Sequence, residues 1–170
     1  MLLKKTLDDY RKGGVGALMD EYERATFELK LIVRNTTEAD YTRIADRETD
    51  NEDCRSIQTI MSHVISSGYD YANIIREQFS MKSELIESKQ IARQEISGEI
   101  DKMLAFTVET LDGKWELSNE EIEKFVTEMP WGAPYNLEQM LEHAIAHVLR
   151  HRRQIEKFLL KFDTPKPVVK

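Results

Sequence analysis

The chain has little of what builds a cross-linked or exported protein. Cysteine occurs once, at Cys54, which excludes an internal disulfide and a thiolate cage for structural zinc. Any metal must therefore be held by nitrogen and oxygen. Four prolines and seven glycines in 170 residues leave long stretches without a helix breaker. No apolar run approaches the length needed to span a membrane. The N-terminus MLLKKTLDDYRKGG carries charges where a signal peptide needs an uninterrupted apolar segment, so the expected location is cytoplasmic. Basic charge is in deficit, with 24 Lys and Arg against 31 Asp and Glu and a net charge of −7, which argues against bulk attraction to nucleic acid or an anionic membrane.

What is present is helical. Hydrophobic residues make up 41% and charged residues 32%, a composition without the low hydrophobicity of disordered chains. The length suits one domain with a substantial core, so residues 1–170 are read as a single unit. Apolar residues recur at spacings of three and four in four long stretches, and alternating strand patterns are scarce, so the fold class is all-α and the architecture a four-helix bundle.

The spacing predicts a short helix within 1–12, then a first long helix from about Val15 to Val33 after the Gly13-Gly14 break. Its inward face is Leu18, Tyr22, Ala25, Leu29 and Ile32. A second runs from near Asp53 to Phe79, behind the polar stretch DRETDNED, which reads as a loop. A third spans Glu84 to Leu111 and stops at Asp112-Gly113. Ser118 with Glu121 forms a capping-box pattern that opens a short helix through Phe125, which MPWGAPY then breaks. Asn136 with Gln139 repeats the pattern and opens the last helix, to about Phe162, leaving 164–170 as a tail.

Three of the four histidines, His143, His147 and His151, recur every four residues on that last helix. Side chains at i and i+4 share a face, so a pair can grip one ion. At about 100° per residue, Met140, Ala144, His147, His151, Gln154 and Phe158 form one stripe, apolar at its ends and polar in its middle, while His143 lies roughly 60° from its centre. A stripe of this kind faces a bundle interior, which selects His147 and His151 as ligands. The remaining histidine, His63, has its own line on the second helix: Ser56, Ile60, His63, Ser67, Asp70 and Ile74. If the two stripes face each other, three imidazoles meet with coordination left open, since no fourth strong ligand is evident.

Against this stands the reading of ordinary histidines capping or hydrogen bonding on half-exposed helices. Gln154 is a candidate to fix a ligand histidine from outside the first coordination shell, against a solvent-facing glutamine. Asp70 and His143 are candidates for a general base. Arg150, Arg152 and Arg153 could hold an anionic substrate, although cations near a helix C-terminus also complement the macrodipole.

SIQTIMSHV at Ser56 to Val64, followed far downstream by LEHAIAHVLRHRRQIE, resembles the DinB-like superfamily of four-helix bundles, the YfiT/DinB group. Ser56, Ile57 and His63 match the first part of its pattern, and His147, His151, Arg152 and Gln154 the second. Arg55 stands where a tryptophan is common and Arg153 where a glycine is common. Neither position is a ligand, so the departures bear on the shape of the pocket. The resemblance implies a divalent metal, zinc or nickel, on three histidines with water completing the shell. It also implies either metal-dependent hydrolysis or thiol transfer, as in bacillithiol S-transferases and mycothiol-dependent maleylpyruvate isomerases, with a low-molecular-weight thiol as co-substrate and a small-molecule substrate. Homodimerisation agrees with the family and with the amphipathic helices. The competing class is a non-catalytic bundle in which metal supports the fold or a dimer. A ferritin-like di-iron site is set aside, because no glutamate stands three residues before a histidine.

Overall fold

Four long helices enclose the core in the computed structural model, which describes residues 6–87, 89–129 and 132–163. They are α1 (Gly13–Arg34), α3 (Ile57–Gln78), α4 (Ile96–Leu111) and α6 (Leu137–Asp163), with the short α2 (Glu38–Thr42) and α5 (Asn119–Lys124) in the connections. Packing is cyclic: α6 lies on α1 and α3, and α4 lies on α3 and α1. A single cluster of buried side chains fills the centre, including Met19, Tyr22, Leu29, Ile60, Met61, Ile100, Met103, Met140 and Ile155. Each such side chain contributes about 1.5–3 kcal/mol relative to leaving it in water. Among the described residues no helix is long and apolar enough to cross a membrane.

The capping signals place the helix starts. Ser56 is the N-cap of α3, its hydroxyl accepting from the Thr59 amide at 3.1 Å. The helix therefore begins at Ile57, later than the Asp53 expected; Glu52–Cys54 is a separate 3-10 turn. Ser118 and Glu121 form their capping box ahead of α5, and Asn136 and Gln139 exchange bonds of 2.9 and 3.0 Å ahead of α6. Gly113, at φ +72°, follows the end of α4 as a left-handed glycine should. Gly68 lets α3 pack closely on α4 and α1: a Cβ there would collide with Met103 Sδ and meet the Tyr22 hydroxyl at 3.0 Å.

Several expectations are corrected. The Gly13-Gly14 pair sits inside the first turn of α1. Its buried face is Val15, Met19, Tyr22, Ala25, Leu29 and Val33, whereas Leu18 and Ile32 are only partly buried against the core. Of the expected N-terminal helix, residues 1–5 lie outside the described residues and 6–12 hold one 3-10 turn, Leu7–Asp9. The tail 164–170 also lies outside them. Around MPWGAPY, of which residues 130–131 lie outside the described residues, β1 (Thr127–Glu128) pairs antiparallel with β2 (Pro134–Tyr135).

The largest correction concerns the third helix, which begins at Ile96, not Glu84. Side chains of α3, with Tyr41 of α2, supply hydrogen bonds that a helix would have made for the preceding segment. Asn73 brackets the backbone of Glu84 from both sides, at 2.8 and 2.9 Å. Ser62 Oγ accepts from the Ile91 amide at 3.0 Å, and the Ile91 carbonyl accepts from Tyr41 Oη at 2.9 Å and Gln58 Nε2 at 3.2 Å. Ile91 is buried by this strap while Leu85 is 96% exposed.

Candidate metal centre

The offset between Ser56 and His63 on α3 turns His63 toward α6, where the His147 and His151 rings are buried. The two helices run antiparallel at this point, since His63 meets His147 and His151 while Tyr71, two turns later, meets His143 and His147. His147 Nε2 lies 3.0 Å from His63 Nε2 and 3.1 Å from His151 Nε2. The three ligand atoms all fall within 4.8 Å of one another. Imidazole nitrogens on one tetrahedral zinc stand about 3.3 Å apart, given Zn–N bonds of about 2.0–2.1 Å.

The proton count of the centre tests whether a cation fits it. Gln154 Oε1 lies 3.1 Å from His151 Nδ1, and Gln154 Nε2 reaches the Cys54 carbonyl at 3.5 Å. The carbonyl end of the amide thus faces the ring, so Nδ1 carries the hydrogen and Nε2 turns a lone pair inward. Asp53 Oδ2 stands 3.6 Å from His63 Nδ1 and favours the same tautomer there. His147 Nε2 has one in-plane site to offer two such neighbours, and its Nδ1 is buried without a hydrogen-bond partner among the described residues. Inward lone pairs that no proton can satisfy together are the donor set a divalent ion needs.

Electrostatics keep the rings neutral. Burial, followed by the charges of the neighbouring histidines and Arg150, lowers His147 to about 3. Burial and the His63 charge lower His151 to about 4, against a raising contribution from the Gln154 hydrogen bond. His63 is also lowered, by burial first, with Asp53 opposing.

A cleft of about 480 Å³ opens beside the cluster, with His63, Ser67, Asp70, Tyr71, His143 and Arg150 among its lining residues. Ile74 and Met129 add apolar side chains to its lining. Asp70 is on this wall with its carboxyl raised by burial, which the His63 charge opposes. His143 is on the wall and not in the cluster; its Nδ1 lies 3.4 Å from Tyr135 Oη, and burial, then Arg150, lowers its pKa.

That three-imidazole cluster on α3 and α6 accords with the comparison that decides the family, a match of the DinB family model to residues 17–161. The chain belongs to the DinB family. No curated protein and no solved structure matches it. Within this DinB-family bundle, the structure brings together His63, His147, His151 and Gln154. It sets Asp70 and His143 apart from them on the cleft wall. Arg152 is drawn away to an ion pair with Glu28 on α1. Sequence reasoning missed Asp53, hidden in a stretch read as loop, and Tyr71, whose i+8 spacing from His63 was the one signal that could have found it. It also missed Met129, which reaches the cleft from just beyond β1.

Proposed function

We propose that this DinB-family protein is a metal-dependent enzyme in which His63, His147 and His151 hold one divalent ion, zinc or nickel. The reaction is hydrolysis of a small molecule or transfer of a low-molecular-weight thiol to one. The observation that carries the reading is the convergence of three imidazole nitrogens at a cleft large enough for a substrate. Among the described residues no further Cys, Asp, Glu or His joins the cluster, which favours an open coordination position over a closed structural site. A bound metal supplies the chemistry by lowering the pKa of a water or thiol, so that the nucleophile exists at neutral pH.

The chain's own residues do the rest. Gln154 fixes the His151 tautomer and ring plane, and Asp53 does the same for His63. Asp70 and His143, on the wall where a substrate would lie, are the candidates to accept a proton, and the raised carboxyl of Asp70 brings it nearer the pH of use. Tyr71 stands edge-on to His147 at 5.8 Å between ring centroids and lines the cleft beside the centre.

Metal content of the untagged protein by elemental mass spectrometry, beside a His63→Ala variant, tests the reading. About one ion per chain, lost in the variant, is the expected result. Absence of metal from both proteins, even after incubation with divalent ions, would overturn it.

A further inference from the structure

Of the three arginines crowded on α6, the structure sets one apart. Arg152 pairs with Glu28 and lies 3.8 Å from Glu156. Arg153 is exposed and is not part of the cleft wall. Arg150 lines the cleft, on the row His143, His147, Arg150 that the spacing i, i+4, i+7 creates. Among the described residues no ion pair or hydrogen bond holds it. Its side chain is exposed, and it borders the same cleft as His63, His143 and His147.

The carboxylate on the cleft wall, Asp70, belongs to α3 and makes no ion pair with Arg150 among the described residues. Asp70 lies seven residues beyond His63, about 10 Å along α3, and one turn before Ile74, which with Met129 adds apolar surface to the lining. Arg150 stands within one turn of both His147 and His151. The metal end of the cleft thus holds a permanent cation with no ion pair of its own among the described residues, while the carboxylate at that end, Asp53, is directed to His63 Nδ1 at 3.6 Å. A guanidinium presents two parallel N–H donors that match the two oxygens of a carboxylate.

We propose that Arg150 anchors a carboxylate of the substrate, so that the site takes a small carboxylate-bearing molecule whose apolar body lies along Tyr71, Ile74 and Met129. This rests on the metal reading above and extends it to the substrate's chemical class.

The test uses the full-length protein loaded with cobalt(II), its visible absorption titrated with benzylsuccinate and with phenylpropanoate. The two probes share an aromatic body; only the first has a second carboxylate to reach beyond the metal. Benzylsuccinate should bind the unaltered protein at least about tenfold more tightly, the scale of one charge-assisted contact. Arg150→Gln should abolish that advantage and Arg150→Lys keep part of it. Arg153→Gln, which removes the same charge outside the cleft, should keep all of it, with cobalt content equal throughout. An advantage that is absent from the unaltered protein, survives in Arg150→Gln, or falls equally in Arg153→Gln would overturn the anchor while leaving the metal site standing. Failure to bind cobalt at all would remove the metal reading and the anchor with it.

Discussion

Gln154 bridges the buried ring of His151 and the backbone of the segment before α3, with its Oε1 3.1 Å from His151 Nδ1 and its Nε2 3.5 Å from the Cys54 carbonyl. One amide therefore sets a tautomer and ties α6 to the approach to the helix that carries His63. Outer groups of this kind typically change metal affinity by about 10–100-fold. Gln154→Leu should weaken zinc or nickel by that order without unfolding the protein, as read by competition with a chromogenic chelator. Unchanged affinity would reduce the contact to packing.

The histidines divide by position. His147→Ala and His151→Ala should each abolish tight metal binding, because each removes one of the three converging nitrogens. His143, whose ring centroid is 6.4 Å from that of His147, should be dispensable for binding, so His143→Ala should retain about one ion per chain. Equal loss from all three changes in calorimetric titration would contradict this arrangement.

Acid should destabilise the metal-free protein over a defined range. Burial first, and neighbouring positive charge second, hold His147 at about 3 and His151 at about 4, against 6.5 for the free side chain. As the pH falls below about 6.5, the unfolded chain takes up protons that the folded chain refuses until about 4 or lower. Stability is therefore full above that range and declines through it. Thermal melts of chelator-treated protein should show Tm flat above pH 7 and falling toward pH 4.5, with a shallower fall in His147→Leu. An unchanged slope in the variant would mean that other groups govern the acid limb.

The strap before α4 offers a test away from the site. Tyr41 is fully buried and donates to the Ile91 carbonyl. Tyr41→Phe removes that donor while Gln58 keeps the acceptor partly satisfied, at a cost of about 1 kcal/mol. Faster amide exchange confined to the segment around Ile91, with metal content unaltered, is the expected result. Exchange that rises uniformly would show that the strap opens only with the whole bundle.

The sequence carried the helices where caps and periodicity agreed: Ser118 with Glu121, Asn136 with Gln139, and the stripe from Met140 to Phe158. It carried the meeting of His63 with His147 and His151 because each lies on a helix face that also holds core residues, Ile60 for the first and Met140, Ala144 and Phe158 for the others. It was silent where long-range bonds override local preference. The segment from Glu84 has helix-forming composition, but Asn73, Ser62, Gln58 and Tyr41 supply its backbone partners from elsewhere. Asp53 and Met129 reach the site from connections whose course no periodicity describes. The separation of Arg150 from Arg152 depends on Glu28, more than a hundred positions away in the chain.

His63 and His147 are 84 positions apart along the chain, so an ion gripping both would close a long loop as a covalent cross-link does. By the loop-entropy relation used for disulfides, a closure of that length restricts the unfolded chain by about 4–5 kcal/mol. In a protein with one cysteine, the same three imidazoles would then serve as reaction centre and as a long-range staple. Removing the ion would loosen the seam between α3 and α6 together with the chemistry, and lower the stability of a bundle that its core still holds folded.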